Sequence, residues 1–215
     1  RYGSHVWTTG PLVGSRTYVR PRIRLSNPIK QRPTMETATA TTTKWAIDPS
    51  HSEIQFKVKH LMISTVTGSF KEFGADVELE GDDLNNAQVS FWANTASIFT
   101  NDEKRDAHLR SGDFFESEKF PKLSFKSTRI VGKGSTWKVT GDLTIKDVTK
   151  SVTLDVEWSG QAKDPWGNTK AGLNLSAKLD RKEFGLTWNA ALEAGGVLVS
   201  DEVRILAEVQ LAKQG

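Results

Sequence analysis

Thr100 to Phe115 is the stretch of this chain best equipped for chemistry. It gathers Arg105, Asp106, His108, Arg110, Ser111 and Asp113 just ahead of the adjacent pair Phe114 and Phe115. Three catalytic or metal chemistries can be tested on it. A Ser–His–Asp relay needs a carboxylate that faces the imidazole, but residues two apart on a helix do not face each other, so Asp106 is poorly placed to orient His108. No Gly-x-Ser-x-Gly elbow or phosphate-cradling loop is present. A metal site is weaker still. His5 lies in the tail, and His51 and His60 would point to opposite faces of one regular strand. What remains is charge beside bulky apolar surface, the pattern of a polar mouth on a greasy cavity. Arg105, His108 and Arg110 are the candidates to meet a polar headgroup. The alternative is that Arg105 and Asp106 pair with neighbours while His108 anchors the helix.

These residues sit on an island. Residues 101–111 read as a short helix that Asn101 or Asp102 can cap, with acids early and Arg105 and Arg110 later, as the helix dipole favours. Around the island, from Trp45 onward, the apolar period is two. Ile54, Phe56 and Val58 alternate with polar neighbours, as do Leu123 and Phe125, Trp137 and Val139, Val152 to Trp158, Leu173 to Leu179, and Val203 to Leu211. Each strand has one apolar and one wet face, as in antiparallel sheets. Turn signals at Gly81-Asp82-Asp83, Gly132-Lys133-Gly134, Asp147-Val148-Thr149 and Asp164 to Asn168 separate the runs. The class is all-β: about eight strands forming a sandwich or an up-and-down barrel, with 45–215 as one domain. Residues 180–200 form a second irregular connection, and such connections build barrel mouths.

Composition narrows the function. The 215 residues hold no cysteine, which removes disulfides, thiolate nucleophiles and Cys-ligated zinc. No apolar run approaches the ~18 residues of a membrane span. The net charge of +3 belongs to the tail: residues 1–34 carry seven basic residues, no acid and four of the seven prolines, while 35–215 has 22 basic and 26 acidic residues, a net of −4. The body therefore offers no basic stripe for nucleic acid. Residues 1–44 read as a flexible leader, with Met35 as a natural start and an Arg-rich transit peptide as the alternative. Without a signal-peptide core at either start, the expected location is cytoplasmic, or periplasmic if the true N-terminus is missing.

A barrel of eight strands either fills itself with side chains or holds one small ligand. Alternation aims Phe56, Val58, Phe70, Phe91, Phe125, Leu143 and Ile145 inward, a register that a one-residue slip would invert. Phe114 and Phe115 line the mouth, without sequence deciding which points in, and Phe184 and Trp188 close the second connection.

The chain also resembles a known family. The residues that carry the likeness run in order: Trp45 to Phe56, Val58 to Leu61, Gly68 to Phe70, Ser97 to Thr100, Arg105 to Ser111, Asp113 to Phe115, Phe120 to Ser127, Gly141 to Ile145, Val148 to Lys150, Asp180 to Gly185 and Asp201 to Val203. Over about 45–211 this set is similar to the YceI-like family. The resemblance implies a lipocalin-like, flattened antiparallel barrel, often a homodimer. It implies a hydrophobic pore holding a polyisoprenoid or similar amphiphile, with no cofactor and no shared enzymatic reaction. One departure is Lys146-Asp147, where the family often has Gly or His-Gly. The expectation is a non-enzymatic carrier or sequestering protein for an isoprenoid-type lipid. The competing expectation is a β-sandwich that binds carbohydrate or protein through exposed Trp92, Trp158 or Trp166.

Overall fold

The computed structural model describes residues 42–80, 83–192 and 195–215. The leader, up to residue 41, and the Gly81-Asp82 turn lie outside the described residues. Eleven strands follow in chain order: β1 (Thr42–Ile47), β2 (Glu53–His60), β3 (Ser64–Phe70), β4 (Phe73–Glu80), β5 (Gln88–Asn94), β6 (Ile98–Phe99), β7 (Lys122–Lys133), β8 (Thr136–Ile145), β9 (Val148–Lys163), β10 (Thr169–Asp180) and β11 (Val199–Lys213). The one α-helix among the described residues, α1 (Glu103–Arg110), lies between β6 and β7. The first strand opens three residues ahead of the expected boundary, because Thr42, Thr43 and Lys44 already pair with Glu80, Leu79 and Glu78.

The strands pair antiparallel in the order β1-β4-β5-β7-β8-β9-β10-β11, and β1 pairs back onto β11 through Trp45–Lys213 and Ile47–Leu211. The result is a closed eight-stranded barrel, not a sandwich. Closure leaves those eight strands without a free edge. β2 and β3 prolong the wall at one end, β2 on β11 and β3 on β2.

β1 and β2 are one bent path. The bend at Pro49–His51 is capped by Asp48, which also reaches Lys170 Nζ (3.0 Å) on β10 and Gln210 Nε2 (3.2 Å) on β11. Hydrogen bonds from Ser50 and the Lys170 charge hold its carboxyl below the usual carboxylate range. Gly68 on β3 serves a close approach, since a Cβ there would overlap the Phe56 ring. The Lys146-Asp147 departure is a two-residue turn between β8 and β9. Lys146 takes φ +58°, the left-handed region that favours glycine.

Candidate functional site

The inward face of each strand is apolar, yet the barrel is hollow. A cavity of about 830 Å³ runs inside it. Leu123 and Phe125, Leu143 and Ile145, Val152, Leu154 and Val156, and the odd-numbered residues from Val203 to Leu211 line it strand by strand. The even–odd pattern of the sequence thus becomes an inner wall with almost no polar atoms.

The far end of the barrel is narrow. There Trp45, Trp137 and Trp158 surround a second space of about 110 Å³ that shares six wall residues with the first, Val77 and Val156 among them. Trp137 is fixed by its indole donating to Gly134 O (2.9 Å). Charged and polar residues gather at the other end: Lys59 and His60 from the end of β2, Ser64 from the start of β3, Asp102, Lys104, Arg105 and His108 from the cap and length of α1, and Arg181 just after β10. This end is the mouth.

α1 crosses the mouth because of local hydrogen bonds. Asp102 caps it by accepting from Arg105 N (2.9 Å), a bond that also lowers the Asp102 carboxyl pKa. The helix is then tied to the barrel through Thr100. Asp106, 5% exposed, accepts from Thr100 N (2.8 Å) and from its hydroxyl (2.5 Å). Arg105 donates from Nε to the same hydroxyl (2.7 Å) and from Nη2 to Thr100 O (2.8 Å). Asp106 and Arg105 are therefore paired with a neighbour, the alternative reading of their roles, although Arg105 still lines the cavity.

His108 pairs with Asp113 Oδ2 (2.8 Å), not with Asp106. Its ring meets Phe114 (5.1 Å) and Trp188 (4.6 Å) edge to face, and those two rings lie 5.4 Å apart. The trio joins α1 to the second connection across the mouth. Ser111 Oγ donates to His108 O (2.7 Å), so its hydroxyl serves the helix end rather than the imidazole. Arg110 is absent from the cavity wall and donates to Ala96 O (3.2 Å).

All eleven apolar candidates line the one cavity. Phe56, Val58 and Phe70 come from β2 and β3, Phe91, Phe125, Leu143 and Ile145 from β5, β7 and β8, and Phe184 and Trp188 from the second connection. Phe114 and Phe115 both face it, Phe114 beside Trp188 and Phe115 against Phe70 (5.9 Å). The backbone between them is a turn, which frees adjacent side chains from strand alternation.

Sequence reading assigned no role to Arg181 or Asn189. Arg181 is buried and donates to the carbonyls of Ser200 (2.9 Å), Trp188 (2.8 Å), Leu186 and Val199. Burial lowers its pKa, opposed by Asp201 and Asp180. Asn189 bonds both the N–H and the C=O of Val199. Together they clamp Leu186 to Asn189 and Val199 to Ser200 to the rim. Arg181 stands in the charged run Asp180-Arg181-Lys182-Glu183, where nothing in the sequence separates a buried charge from its solvated neighbours. Of the three platform tryptophans, only Trp166 is fully open, at 84% exposure on the β9–β10 turn. Trp158 packs on the core, and Trp92 lies under Lys122 Nζ (4.2 Å).

A YceI-like domain model matches residues 45–211. A UPF0312 protein of Staphylococcus aureus (strain USA300) is 39% identical over 173 residues, covering 79% of this chain and 98% of that protein. The crystal structure of a Campylobacter jejuni YceI protein is similar at 31% identity and TM-score 0.64, over 74% of this chain and 91% of that one. A polyisoprenoid-binding domain from Saccharophagus degradans shares the fold at 11% identity and TM-score 0.56, over 79% of this chain and 98% of that one. With a lipocalin-like barrel, an apolar interior and a family match spanning its whole strand set, this chain belongs to the YceI-like family.

Proposed function

We propose that the protein is a non-catalytic carrier that buries a long isoprenoid-type amphiphile, a polyprenyl lipid or quinone precursor, inside the barrel. The observation that carries this reading is the apolar cavity of about 830 Å³ whose charged lining residues all lie at one mouth. That volume lies within the range of small-molecule sites. A methylene takes up about as much space as the ~30 Å³ share of a water, so the cavity has room for ~28 chain carbons, enough for the roughly 25 of five isoprene units. At about 0.3 kcal/mol per heavy atom the affinity comes to ~7.5 kcal/mol, a Kd of a few micromolar. The named ligand of the Saccharophagus domain fits the same chemistry. His108 and Arg105 stand where a headgroup would rest, and the Ser111 hydroxyl beside the His108–Asp113 pair is turned to the His108 carbonyl rather than the imidazole, which favours binding over catalysis.

The test is a titration with prenyl alcohols of increasing length, read by calorimetry and by the change in tryptophan fluorescence that is lost in a Trp188→Phe variant. Binding should strengthen with each isoprene unit and level off near five. No binding at any length would refute the carrier reading.

A further inference from the structure

The β2–β3 hairpin ends in a turn that breaks two local rules. Residues 60–63 close it, with Ile63 N donating to His60 O (3.2 Å), and both central residues have positive φ, Leu61 at 52° and Met62 at 60°. This is the two-residue hairpin geometry for which Asn-Gly is favoured. Here two bulky apolar residues occupy it. They are also turned outward: Leu61 is 36% exposed, Met62 62% and Ile63 83%. Strained backbone and three consecutive exposed apolar side chains are each unfavourable in water.

The tip borders the cavity. His60 and Ser64, on either side of it, line the mouth, and Leu61 N donates to Leu198 O (2.8 Å) of the clamped second connection. Of the mouth residues that line the cavity, Lys59, Lys104 and Arg105 stand with a single carboxylate, Asp102, while the nearby carboxylates of Asp106, Asp113 and Asp201 are engaged by Thr100, by His108, and by Arg181 and Lys182.

We propose that this tip is a docking element for an anionic lipid bilayer, with Met62 and Ile63 entering the acyl region and Lys59 and Lys104 meeting lipid phosphates. Apolar side chains on a short projection with lysines at its base match the depth profile of an interface. Each such lysine gains from an anionic surface. The geometry puts the mouth against the membrane, so a prenyl chain passes between two apolar phases without crossing water. The inference rests on the carrier reading for its purpose, but not for its test.

The experiment is flotation of the full chain with phosphatidylcholine vesicles, with and without phosphatidylglycerol, comparing wild type with a Met62→Asp/Ile63→Asp double variant. Both side chains are exposed, so the fold should be unchanged, which a thermal melt checks. The wild type should float with the anionic vesicles and the variant at least tenfold less, while both take up a prenyl alcohol delivered from solvent. Equal flotation of the two proteins, or no flotation of the wild type, overturns the docking inference and leaves carriage standing if uptake persists. Flotation without uptake refutes carriage alone. A variant that changes oligomeric state while floating like the wild type assigns the tip to self-association and overturns docking.

Discussion

Replacing Ala207 by Trp separates a hollow barrel from a packed one. Ala207 lines the cavity from the middle of β11, between Leu175 on β10 and Ile54 on β2. The change adds nine heavy atoms, about a third of the ~28 carbon-sized volumes that fit in 830 Å³. In a filled core such an insertion costs roughly 1–3 kcal/mol or more, and each kcal/mol lowers the Tm of a domain this size by about 2–4 °C. Into open space it should leave Tm unchanged or raise it, and Trp suits a strand. The added ring displaces about nine ligand carbons. At ~0.3 kcal/mol per atom that removes roughly 3 kcal/mol, about a hundredfold in Kd, for a five-unit prenyl alcohol. A three-unit alcohol of 15 carbons still fits beside the ring and should bind nearly as before. Calorimetric melts and the length series measure both effects. A Tm drop of several degrees, or equal weakening of short and long ligands, would refute the claim that this space is empty and holds the chain.

Three further outcomes follow from the mouth and the bend. Arg181→Met should cost about 3–5 kcal/mol, because four backbone carbonyls lose a buried charged donor, and amide exchange should accelerate most over 186–200. Asp106→Ala leaves Thr100 N–H buried without its acceptor, at about 1–3 kcal/mol, and should raise exchange across α1 more than across β7–β9. Asp48 has a depressed folded-state pKa, so its stabilisation is complete above the unfolded value near 4 and declines as pH falls below it. Asp48→Asn should therefore be less stable at neutral pH and lose less stability between about pH 4 and 2, as read by urea unfolding across that range.

The strand faces were legible because a period of two needs no tertiary knowledge: one side of each strand must be buried, and the register follows. Phe56 and Val58 on β2 and Leu143 and Ile145 on β8 all point as alternation dictates. Hollowness was not legible. The same apolar residues can fill a barrel or line one, and only the closure of β1 on β11 with the cavity inside distinguishes them. Irregular segments resisted for a related reason. Phe114 and Phe115 both face the cavity because their turn obeys no period. Arg110 leaves the mouth for the Ala96 carbonyl. The partner of His108 is Asp113, five residues on, beyond the reach of helix spacing. Arg181 was hidden because a buried arginine is identified by the carbonyls around it, which come from residues 186–200.

The most direct measurement of the central claim is organic extraction of the purified protein, followed by mass spectrometry against a heat-denatured blank and by reloading of the stripped protein. The carrier account predicts a prenyl lipid or quinone in the extract at up to one per chain, or one taken up to that ratio on reloading. An empty extract together with a stripped protein that takes up no prenyl compound would contradict it.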